Sequence, residues 1–114
     1  MEKLNIAIYP HLAKRKELLR ACHLISGKTL EQNGCMDSRV LPGSSKDSAI
    51  HLEQQWHKRN LLDDYFRSDH FSALLGAIKL LADKYELTIN DGSPAEGINS
   101  VNRARNSNLT KAQR

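Results

Sequence analysis

The sequence predicts an α+β fold, an antiparallel sheet with helices on one face, from three observations. Some segments alternate apolar and polar residues, as half-buried strands do; others carry apolar residues at helical spacing. Their order along the chain is strand–helix–strand–strand–helix–strand. At 114 residues the chain has the length of one domain. Hydrophobic residues make up 39% and charged residues 26%, a balance that suits one modest core and excludes collagen-like or wholly disordered classes.

Residues 3–9 alternate Leu4, Ile6 and Ile8 with Asn5, Ala7 and Tyr9, and Pro10 interrupts the pattern. From His11 the period changes. Leu18, Leu19, Cys22, Ile25 and Leu30 fall at helical spacing to about residue 32, and Gly34 can supply a left-handed exit. A polar strand at 35–41 leads into ProGlySerSerLysAsp at 42–47, which is turn chemistry. The strand at 49–57 sets Ile50, Leu52, Gln54 and Trp56 against His51, Glu53, Gln55 and His57. A short helix is expected at 60–67 and a stronger one at 70–83, capped by Ser68 or Asp69, with Phe71, Leu74, Leu75, Ile78 and Leu81 as its apolar stripe. Tyr85, Leu87 and Ile89 form a last strand, stopped by AsnAspGly at 90–92.

This order is the split βαβ sandwich of ferredoxin-like folds. Residues 1–92 are expected to form that domain and 93–114 a flexible basic tail, with a short partner-docking helix around 99–105 as the alternative. One sheet face is left bare, carrying His51, Glu53, Gln55 and His57. Small domains commonly dimerise over such a face, so a homodimer is expected.

Charge and cysteine usage narrow the function classes. The net charge is +4, but thirteen of the seventeen Lys/Arg and twelve of the thirteen Asp/Glu precede residue 94. The body is close to neutral and the tail carries the excess, unlike a phosphate-reading face, so no nucleic-acid partner is expected. The longest apolar runs span only a few residues, which predicts no membrane partner. No secretory layout opens the chain, and its two cysteines are too few for a disulfide framework, so a cytoplasmic location is expected. No GxGxxG or P-loop occurs, and no nucleotide, flavin or other cofactor is indicated. His51, Glu53 and His57 share a strand face, but His57 lies four residues beyond Glu53, ~13 Å away at ~3.3 Å per residue, so one metal cannot use all three.

The run ThrLeuGluGlnAsnGlyCys at 29–35, a strand ending in Trp56, and LeuLeuAspAspTyrPheArgSerAspHisPhe at 61–71 together resemble the antibiotic biosynthesis monooxygenase family. That family includes quinol monooxygenases and has haem-degrading relatives. The resemblance covers roughly residues 3–91. It implies a ferredoxin-like sandwich paired into a dimeric α+β barrel. It also implies cofactor-independent oxygenation of a quinol or polycyclic phenol by molecular oxygen. Trp56, His70 and Phe71 match the pattern. Ser38 stands where members often have tyrosine, Gln54 where they usually have glutamate, and Tyr65 where they have histidine.

The candidate chemistry centres on His70. At a helix start, backbone N–H groups favour a neutral imidazole, which can take a phenolic proton; otherwise it is a histidine that helps begin the helix. Trp56 and Phe71 offer apolar walls for a flat substrate, or plain core. Tyr65 and Asn5 offer groups to position a substrate oxygen; Asn5 is unfavourable in a strand by propensity alone. The expected site therefore comprises catalytic His70 and substrate-binding Asn5, Trp56, Tyr65 and Phe71. The alternative function is a small-molecule-binding or stress-associated dimer of the same fold without oxygenase activity.

Overall fold

A computed structural model describes residues 1–43, 48–90 and positions 101, 104 and 105. The turn residues 44–47, the AspGly stop at 91–92 and the rest of the 93–114 segment lie outside the described residues.

Strand β1 (Glu2–Pro10) is followed by α1 (Arg15–Thr29), β2 (Cys35–Leu41), β3 (Ile50–Trp56), α2 (Arg59–Phe66), α3 (Asp69–Leu81) and β4 (Ala82–Asn90). The strands form one four-stranded antiparallel sheet in the order β2-β3-β1-β4, a ferredoxin-like α+β fold. Pairing runs from Glu2 opposite Trp56 to Ile8 opposite Ile50. Directly opposed residues share a face, so this register puts Leu4, Ile6 and Ile8 beside Ile50, Leu52 and Trp56. Leu87 and Ile89 of β4 join them, and all eight are buried.

The helices cover that face. Leu18 and Cys22 of α1, Leu62 and Phe66 of α2, and Phe71, Leu74 and Ile78 of α3 are buried against it. Burial of each large apolar side chain stabilises the fold by about 1.5–3 kcal/mol. Ser68 caps α3, its hydroxyl accepting from the Phe71 N–H at 3.1 Å. The opposite sheet face carries Lys3, Asn5, His51, Glu53, Gln55, Lys84, Glu86 and Thr88, all exposed or half-buried, the polar-out half of the alternation.

Element boundaries differ from the sequence expectation where tertiary bonds intervene. Helix α1 starts at Arg15 rather than near His11. The His11 N–H donates to the Leu81 carbonyl at 2.9 Å and Ala13 has φ 69°, so residues 11–14 form a turn beside the end of α3. The helix stops at Thr29, leaving Leu30 48% exposed rather than on the buried stripe. Gly34 does not close the helix. It stands at φ 90° just before β2, where a Cβ would lie 2.6 Å from Leu61 Cδ1, so the glycine lets the chain approach α2 in a left-handed conformation. Strand β4 begins at Ala82, directly after α3, because Ala82 already pairs with Pro10.

Three positions in the segment expected to be a loose tail are described, and they are helical. Val101 is fully buried in the main core, and Ala104 packs against it. Arg105 donates to the Phe66 carbonyl at 2.5 Å and to Ser72 Oγ at 3.1 Å. A cation thus satisfies a carbonyl at the end of α2, where the helix leaves acceptors over. Arg105 thus ties this segment to both α2 and α3.

Candidate active site at the helix–sheet seam

At the Trp56 end of the sheet the core turns polar. Gln54, 2% exposed, occupies a position on the apolar face of β3, opposite Leu4 on one side and Ser38 on the other. Buried amides require partners. Gln54 Oε1 accepts from Trp56 Nε1 at 3.0 Å, and its Nε2 faces the Tyr65 hydroxyl at 3.4 Å. The indole N–H can only donate, which fixes the orientation of the amide. Ser38 Oγ bonds Ser26 Oγ at 2.7 Å across the seam between α1 and the sheet.

An aromatic cluster closes over these groups. Trp56 and Tyr65 stack with centroids 4.6 Å apart, and Phe71 meets the Tyr65 ring edge-on at 5.1 Å. His70, in the first turn of α3, lies with its ring 6.1 Å from that of Tyr65. It is half-buried, and its Nε2 is 2.8 Å from Thr29 Oγ1 at the end of α1. Thr29 in turn bonds the Ile25 carbonyl at 2.7 Å, the i−4 bond open to a helical threonine.

Burial pushes the Tyr65 phenol up to about 12, with side-chain hydrogen bonds from Gln54 and Thr29 pulling the other way and the charge of Cys35 adding to the rise. The phenol is therefore neutral over the physiological range. Burial likewise raises the Cys35 thiol, against a backbone hydrogen bond at Asp37 that lowers it, a direction that disfavours a thiolate nucleophile there. A cleft of about 100 Å³ reaches Trp56 and Tyr65 from outside, bordered by Gln32, Asn33, Leu61, Asp64 and Ser68.

Four of the five expected site residues, His70, Trp56, Tyr65 and Phe71, come together here. Asn5 does not join them. It lies on the other sheet face, where its Oδ1 is 3.3 Å from His51 Nδ1. The period of 2 that puts Leu4 and Ile6 inward turns Asn5 outward, across the thickness of the sheet from His70. It borders instead a shallow pocket of about 230 Å³ with Lys3, Asp37, Arg39, Glu53 and Gln55. Two seam residues, Thr29 and Ser26, were not singled out by sequence. Their signal was present: both fall on the buried stripe of α1 with Leu18 and Cys22, where a hydroxyl needs a partner. The three positions that depart from the resembled family pattern, Ser38, Gln54 and Tyr65, all lie in this seam.

Among the described residues no three His, Cys, Asp or Glu side chains gather as a metal site, and no helix is long and apolar enough to cross a membrane. No family model matches the chain, and no curated protein matches it. Solved structures do. An antibiotic biosynthesis monooxygenase shares 19% identity over 82% of this chain and all of its own length, with a TM-score of 0.70. A proposed antibiotic biosynthesis monooxygenase from Deinococcus radiodurans shares 14% identity over 84% of this chain and 96% of its own, with a TM-score of 0.75. A conserved protein of unknown function from Bacteroides thetaiotaomicron, described as a possible oxidoreductase, shares 19% identity over 78% of this chain and 94% of its own, with a TM-score of 0.71. The chain thus has the ferredoxin-like fold of antibiotic biosynthesis monooxygenases, as the resemblance in its sequence implied.

Proposed function

We propose that the chain is a cytoplasmic, homodimeric monooxygenase that oxidises a quinol or polycyclic phenol with molecular oxygen and no cofactor. The observation that carries this reading is His70, a half-buried imidazole tied to Thr29 beside the aromatic wall of Trp56, Tyr65 and Phe71. His70 takes the phenolic proton, and the resulting phenolate is electron-rich enough to reduce oxygen. One oxygen atom enters the substrate as it loses two hydrogens, and the other leaves as water. The substrate supplies all the electrons. The neutral Tyr65 phenol and the Gln54 amide keep the wall polar at its edge without adding charge. The names of structural neighbours support this class of reaction by fold alone.

The open sheet face suits the second copy. It carries Lys3, Arg39 and Lys84 with Asp37, Glu53 and Glu86, a mixture of signs that a two-fold self-contact can match. Arg39 already reaches Asp37 at 3.3 Å and Glu53 at 3.9 Å within the protomer. Sedimentation of the purified chain checks this: a dimer that charge reversal at Arg39 and Glu53 weakens is the expected result.

The second reading, a non-oxygenase binding dimer, draws on the closure of the seam. Trp56 and Phe71 have no exposed surface, and the cleft that reaches Trp56 and Tyr65 is smaller than a bicyclic phenol. Under the oxygenase reading the seam must widen to admit substrate. Oxygen uptake with hydroquinones, anthrones and naphthols, corrected for autoxidation, separates the two readings; a ligand that raises Tm without consuming oxygen supports the second.

A further inference from the structure

We propose that Thr29 is a positioning residue that fixes the tautomer of neutral His70, with the proton on Nε2 and the lone pair on Nδ1. Nδ1 is then the nitrogen that accepts a substrate proton. This last step rests on the proposed role of His70 as base; the tautomer assignment does not.

The argument is a count of hydrogens. A threonine hydroxyl has one proton to donate and two lone pairs to offer. A backbone carbonyl can only accept, so the 2.7 Å bond between Thr29 Oγ1 and the Ile25 carbonyl uses that one proton. Toward His70, 2.8 Å away, Thr29 Oγ1 has only lone pairs left. The imidazole must therefore donate, and Nε2 carries the hydrogen.

The consequence falls on the outer nitrogen. Among the described residues Nδ1 of His70 has no hydrogen-bond partner, and the ring is half-buried rather than enclosed. A neutral ring held as Nε2–H offers its lone pair on that side. Without the Thr29 hydroxyl the ring loses the acceptor that defines its orientation, and either tautomer can form.

The test is a two-bond ¹H–¹⁵N correlation spectrum of the full chain labelled with ¹⁵N-histidine, at about pH 8, above the ordinary histidine range. The His70 signals are assigned by their loss in His70→Gln. The expected pattern is a pyrrole-type Nε2 and a pyridine-type Nδ1 for His70 in the unsubstituted protein. Thr29→Val, nearly the same shape without the hydroxyl, is expected to average the two nitrogens, and Thr29→Ser to restore the original pattern. A pyridine-type Nε2 in the unsubstituted protein overturns the proposal whether or not Thr29→Val folds, and so does a Thr29→Val spectrum identical to the original. With an oxidisable phenol, kcat/KM is expected to fall about 10- to 100-fold in Thr29→Val and to return to within about threefold in Thr29→Ser. The expected tautomer without oxygen uptake would leave the assignment standing and remove only the oxygenase reading.

Discussion

The indole N–H of Trp56 donates to the side-chain carbonyl of Gln54, two positions earlier on the same face of β3, at 3.0 Å. The same amide turns its N–H toward Tyr65. One buried residue on a strand thus orients the two stacked aromatic rings that wall the seam. Gln54→Leu keeps roughly the volume and removes both bonds, leaving a buried indole N–H without its acceptor. A loss of about 1–3 kcal/mol in denaturant unfolding is expected. A change within about 0.5 kcal/mol would show that water replaces the amide at no cost.

Gly34 has φ 90°, and a Cβ there would meet Leu61 at 2.6 Å. Its carbonyl accepts from the His57 N–H at 2.8 Å, so the backbone cannot swing freely away. Gly34→Ala is expected to cost about 1–3 kcal/mol through backbone strain and displacement of α2. Pairing it with Leu61→Ala should recover part of the loss if the contact matters, and none if the backbone alone does.

Val101 is fully buried although its surroundings in sequence are polar. Val101→Ala is expected to destabilise the fold by about 1–2 kcal/mol, the scale of lost methyl groups in a packed core. A surface position in a loose tail would change stability by less than about 0.5 kcal/mol. Urea unfolding of the full chain distinguishes the two.

The Tyr65 phenol is raised to about 12 in the folded chain, whereas an unfolded tyrosine titrates near 10. Above pH ~10 the unfolded chain releases this proton while the folded chain keeps it, so folded protein binds more protons and stability falls as pH rises. Tyr65 contributes its full share below pH ~10 and loses it progressively up to pH ~12, by about 2–3 kcal/mol in total. Tyr65→Phe is expected to be less stable at neutral pH, through its lost hydrogen bonds, but to show a shallower alkaline decline. Parallel slopes between pH 9 and 11 would contradict the assignment.

The strands were legible because each repeats its signal: β3 alternates buried and half-buried side chains along its whole length, as its sequence does. The stripe of α3 was legible for the same reason, through Phe71, Leu74 and Ile78. Boundaries were less so where a tertiary bond decides them, as the His11 N–H to Leu81 does at the start of α1. Of the candidate site, the aromatic and histidine positions were readable by type. Thr29 was legible only as a polar residue on the buried stripe of α1; its pairing with a histidine 41 positions away was not, because the two meet only in the fold. Asn5 stands out in the sequence by its residue type, but strand alternation puts it on the face away from His70. Val101 stood out little as one aliphatic residue in a polar tail, because its partners lie far off in sequence.

The measurement that tests the central claim most directly is oxygen consumption by the purified full chain over a panel of hydroquinones, anthrones and naphthols, beside His70→Ala. Uptake above autoxidation is expected for at least one compound, with a fall of about 10²-fold or more in His70→Ala, the scale of a lost general base. Uptake that is unchanged by His70→Ala, or absent across the panel from folded protein, would contradict it.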